Sequence, residues 1–126
     1  MVGGPAETHI SLGDFRYRLI ATERGGRWLA RAGRGPAGDA FGIECGGATE
    51  AEAVHRLARW LAWQHEHAAA LAALQETEHA YHRAVVGSAF AVPVEGTTND
   101  RQAALDVVDA ARQRLDEIRA RQPETS

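Results

Sequence analysis

Gly46-Gly47-Ala48-Thr49-Glu50-Ala51-Glu52-Ala53-Val54 is where the chain changes its period. Ahead of this stretch apolar residues recur at every second position, and behind it they recur at every third and fourth. A threonine followed three residues later by a glutamate forms a capping box, in which hydroxyl and carboxylate satisfy amides that a helix start leaves without partners. No glycine or proline follows Gly47 until Gly87. The spacing therefore predicts one continuous helix over residues 49–86.

Toward the N-terminus, Phe15, Tyr17, Leu19 and Ala21 alternate with Arg16, Arg18, Ile20 and Thr22. A period of two marks a strand with one buried face. Glu23-Arg24-Gly25-Gly26 then offers a turn, and the extended pattern resumes at Arg27 around Trp28, Leu29 and Ala30, which closes a hairpin. Residues 33–39 are glycine-rich and read as a loop. Phe41, Ile43 and Cys45 alternate again as a short third strand.

Toward the C-terminus, the long helix carries two stripes. Val54, Leu57, Leu61, Ala68 and Ala72 lie on one side, whose first half is expected to cover the sheet. Trp60, Trp63, His67, Leu71, Leu74, Glu78, Tyr81 and Val85 step by threes and fours on another side, in coiled-coil fashion. A linker over 87–99, with Pro93 and Gly96, leads to Thr97 or Thr98 as the cap of a second helix bearing Ala104, Val108, Ala111, Leu115 and Ile118. The expected fold class is α+β: a three-stranded antiparallel sheet packed on a long helix, followed by a second helix that forms an antiparallel helical hairpin. One domain spans 1–126, with a β-β-β-α part over 9–72, the hairpin extension over 73–121 and a flexible tail over 122–126.

With 126 residues, of which 44% are hydrophobic and 25% charged, the chain is long enough for one core. The single cysteine, Cys45, excludes an internal disulfide or a cysteine-rich zinc module. No apolar run spans a bilayer, and residues 1–8 lack the features of a secretory signal, so a cytoplasmic protein without a membrane partner is expected. The net charge is -3, and all 14 basic residues are arginine.

Gly25, Gly26 and Trp28 in the hairpin, with Gly47, Thr49, Glu52 and Ala53 at the helix start, resemble the HicB-like antitoxin family over the first half of the chain. That resemblance implies a partial ribonuclease H-like β-β-β-α domain, and with it toxin neutralisation or operator binding. The family's proline-leucine-proline-glycine loop is replaced by Gly35-Pro36-Ala37-Gly38. Its DNA-binding C-terminal segment is replaced by the helical hairpin.

The candidate sites follow from these placements. The stripe through Trp60, Trp63, His67, Leu71, Leu74 and Tyr81 outruns a short sheet, so it is expected to form the interface of a homodimer or higher even oligomer. His67 and Glu78 within it are the kind of polar residues that fix register and partner number. Arg16, Arg18, Arg27 and Arg31 are expected to share the sheet face opposite the helix, as a surface for a protein partner or, as an alternative, for nucleic acid. Glu76-x-x-His79 places a carboxylate and an imidazole on one helix face, and His82 lies one turn further. Glu76, His79 and His82 thus form an alternative metal set across an oligomer interface. No phosphate loop, nucleophile elbow, zinc-peptidase helix or Ser-His-Asp order is present. The expectation is a non-catalytic interaction module without a cofactor.

Overall fold

The computed structural model describes residues 6–34, 40–90 and 97–126. Its elements run β1 (Ala6–Leu12), β2 (Phe15–Arg24), β3 (Arg27–Arg34), β4 (Ala40–Gly47), α1 (Glu50–Phe90) and α2 (Thr97–Ala120). This is a mixed α+β chain. It forms two compact units, Met1–His65 with Gln122–Ser126, and Glu66–Arg121.

The first unit carries a four-stranded antiparallel meander in the order β1-β2-β3-β4. The three-stranded expectation misses β1. Its signal is present, since Thr8, Ile10 and Leu12 alternate with His9 and Ser11, and Gly13-Asp14 supplies a two-residue turn that sets Leu12 opposite Phe15. At the next turn Gly25 and Gly26 adopt φ of 64° and 80°. Positive φ at both central positions matches the right-handed twist of the flanking strands, and glycine reaches it without a Cβ clash. Arg24 and Arg27 close that hairpin. A bulge between Ala30 and Ala32 interrupts the pairing of β3 with β4.

The inward residues Tyr17, Leu19, Ala21, Ala30, Ala32 and Cys45 pack against Ala53, Leu57 and Leu61 of α1, and these nine form one buried cluster. Ile10, Leu12, Ile43 and Trp60 close around it. The first half of the expected sheet-covering stripe is therefore in place, whereas Ala68 and Ala72, further along it, are exposed.

At the start of α1, the Glu52 amide donates to Thr49 Oγ1 at 3.1 Å. The reciprocal half of the expected capping box is replaced: the Glu52 carboxylate accepts from Arg56 Nη1 at 2.7 Å, one turn on. The helix also runs through Gly87 to Phe90 rather than stopping at residue 86. A lone glycine costs about 1 kcal/mol relative to alanine, too little to end a helix by itself.

The second unit is the antiparallel hairpin of the later part of α1 with α2. Glu66 near one end meets Arg121 at 3.1 Å and Arg114 at 3.9 Å. Tyr81 near the other end lines a surface with Arg101, Gln102 and Leu105. Ala70, Leu74, Val108, Leu115 and Ile118 are its buried residues among those described. The sequence linker 87–99 is largely helical where it is described, and Pro93 and Gly96 lie outside the described residues, as does the loop at 35–38. In the tail, expected to fray, the Thr125 carbonyl accepts a hydrogen bond from the Gly46 amide at 2.8 Å.

Candidate functional site

Two surfaces hold the arginine set, the Glu76, His79 and His82 set, and Tyr81 of the expected interface. The first is the face of the sheet turned away from α1. Strand register puts Ile20 opposite Arg31, Arg18 opposite Gly33, and Arg24 opposite Arg27. Directly opposed residues share a face, and positions two apart along a strand share it too. Arg16, Arg18, Arg27 and Arg31 therefore lie on one face as expected, and Arg24 joins them. Arg16, Arg24, Arg27 and Arg31 are exposed, while Arg18 is half-buried. Between them sit Ile20 and Leu29, both half-buried. Sequence alternation contains Arg24 and the apolar pair as well, but the register is needed to set the two strands side by side.

Two of these arginines are positioned by the backbone. A Cβ built at Gly46 would stand 2.9 Å from Arg27 Nη2 and 3.0 Å from its Nε, so the guanidinium lies against bare main chain. Arg31 Nη2 donates to the Gly42 carbonyl at 3.5 Å. Opposing charge on this face comes from Glu44, which is exposed between the inward Ile43 and Cys45.

The second surface is a groove of about 690 Å³ in the hairpin. Tyr81, Leu105 and Val108 give it an apolar floor. Glu76, Glu78, His79 and His82 of α1 stand on one side, and Arg112 of α2 on the other. Glu76, His79 and His82 thus share the groove, yet among the described residues no three side chains of metal-ligating type are gathered closely enough to hold an ion. Leu105 and Arg112 were not singled out by the sequence, because the groove exists only once the two helices are paired.

The expected interface stripe is distributed by the fold. Leu74 is buried inside the hairpin, and Leu71 and Tyr81 are half-buried. His67 is half-buried and accepts from Arg119 Nε at 3.2 Å. Trp60 and Trp63 belong to the first unit, where their rings lie 5.1 Å apart and are half-buried. An aromatic cluster not foreseen from the sequence joins Phe15, Tyr17 and His65. Tyr17 Oη lies 3.3 Å from His65 Nε2, and the Phe15 ring meets His65 edge-on at 5.4 Å.

No family model, curated protein or solved structure matches this chain.

Its chemistry is therefore read from its own residues. Among those described, no polar or charged residue is buried. Burial pushes the Cys45 thiol above its ordinary value of 9.0, with the Arg56 charge pulling the other way. A desolvated thiol is held protonated, which suits a core residue rather than a nucleophile. No helix among the described residues is long and apolar enough to cross a membrane.

Proposed function

We propose that this chain is a non-catalytic interaction module of HicB-like type that dimerises through its helical hairpin. The observation that carries the reading is the open, apolar-floored groove in a hairpin with few buried residues of its own. Two helices meet along a single line, so each keeps an uncovered flank. Seven apolar residues of α2, from Val107 through Ile118, Ala111, Ala104, Leu115 and Val108 to Leu105, span an arc of about 160° at 100° per residue. Val107 at one edge of that arc is 54% exposed. One neighbouring helix covers less than such an arc.

The occupant is a second copy of the chain, because the groove is self-complementary in charge. Its α1 wall carries Glu76 and Glu78, and its α2 wall carries Arg112. A two-fold axis running along the groove sets the α1 wall of one copy over the α2 wall of the other, so that Glu78 of each copy faces Arg112 of the other. The HicB-like part of the reading rests on the glycine turn before Trp28 and on the Thr49 cap that opens the helix.

Sedimentation equilibrium on the intact chain tests the reading. A dimer is expected, E78R should weaken it by at least about tenfold, and E78R/R112E should restore it. A chain that stays monomeric at every concentration would overturn it.

A further inference from the structure

The outer face of the sheet has a different character from the groove, and it fits a different partner. It combines five arginines with a central apolar pair, Ile20 and Leu29, which are diagonal neighbours across β2 and β3. Neither residue belongs to the core or packs against it. Three gaps of about 4.8 Å between strands make the sheet about 14 Å wide. A helix with its side chains is about 10–12 Å across, so this face has room for one.

Charge and composition decide what kind of molecule would lie there. Guanidinium groups match carboxylates and phosphates equally well in geometry, so the arginines alone do not choose. The apolar pair does. Ile20 and Leu29 offer nothing to a phosphate backbone, and among the described residues the one ring on their face is the imidazole of His9, opposite Arg18, which gives no run of stacking platforms, since Phe15, Tyr17 and Trp28 occupy the opposite parity on their strands. Residues 1–65 and 122–126 also carry eight arginines against eight carboxylates. A unit with no formal net charge lacks the long-range pull that dominates nucleic-acid affinity. A helix with an apolar ridge flanked by carboxylates meets both features of the face.

We infer that the outer face of the sheet docks an acidic amphipathic α-helix from a partner protein. Its ridge rests on Ile20 and Leu29, and its carboxylates pair with Arg16, Arg18, Arg27 and Arg31. Arg27 is held ready by lying across Gly46, which lowers the ordering cost of binding. The inference rests on the interaction-module reading and supplies the chemistry of its partner, but it does not depend on the hairpin dimer.

Fluorescence anisotropy on the intact chain tests it with three probes. The first is a helical peptide of about 20 residues, with leucines at i, i+3, i+4 and i+7 and glutamates beside them. The second contains the same residues shuffled so that the leucines surround the helix. The third is an oligothymidylate of about 20 nucleotides. Saturable binding of the first is expected, weakening as salt rises from about 50 to about 300 mM. R16Q/R31Q should lower that affinity at least about tenfold. L29T, which keeps a strand-forming residue, should abolish the preference for the ordered peptide over the shuffled one, with circular dichroism verifying the fold of each variant. Absence of saturable binding, equal binding of the shuffled peptide, or tighter binding of the oligothymidylate would each overturn the inference. A monomeric chain that still binds the peptide would sink the hairpin dimer alone, and a dimer that ignores it would sink this inference alone.

Discussion

The sheet half and the hairpin half of this chain solve the same burial problem with unequal means. In the first, strands flank one another and a helix lies across them, so Leu19, Ala21, Ala30, Cys45 and Leu57 reach 0% exposure. In the second, two helices share a seam, and five residues are buried among those described. A sheet closes its core in two directions, and a helix pair in only one. The lesson is that apolar periodicity states how much surface must be covered without stating whether the same chain covers it.

The largest expected effect lies in the closed half. Leu57→Ala empties a site enclosed by strands and should cost about 3 kcal/mol in urea unfolding, because the cavity cannot collapse. A loss under about 1 kcal/mol would mean that the sheet half is as loosely filled as the hairpin. Thr49→Ala removes the acceptor for the Glu52 amide at the handover from sheet to helix and should cost about 1 kcal/mol by the same measurement. The smallest effect is a pH dependence. The folded Cys45 pKa is raised above its unfolded value by burial, so the stabilisation is fully present below 9.0 and is lost as pH rises through the folded value. Unfolding free energy should therefore fall above about pH 9 more steeply in the native chain than in Cys45→Ala. Parallel slopes would show that the core does not exclude water from the thiol.

Much of this was legible in the sequence. The capping threonine, the glycine hairpin and the alternation of Phe15, Tyr17, Leu19 and Ala21 are local signals, and each corresponds to an element of the fold. β1 is harder to see although Thr8, Ile10 and Leu12 alternate, because so short an edge segment is defined mainly by its pairing with β2. Gly87 marks the end of α1 too early in the sequence, because a single glycine is a weak stop and the helix runs on to Phe90. The arginine face was readable as parity along two strands, but its apolar centre needed the pairing of Ile20 with Arg31 and of Thr22 with Leu29. One wall of the groove is legible as Glu76, His79 and His82 along a single helix, but Leu105, Val108 and Arg112 join it only through the packing of two helices.

Hydrogen exchange followed at two protein concentrations, well above and well below the dimer dissociation constant, separates the two halves most directly. If a second copy completes the hairpin, amides over 66–121 lose protection on dilution while those of β2 and β3 keep theirs. Protection in the hairpin that is unchanged by dilution, in a chain that sediments as a monomer, would contradict the dimer and leave the hairpin stable with the core it has.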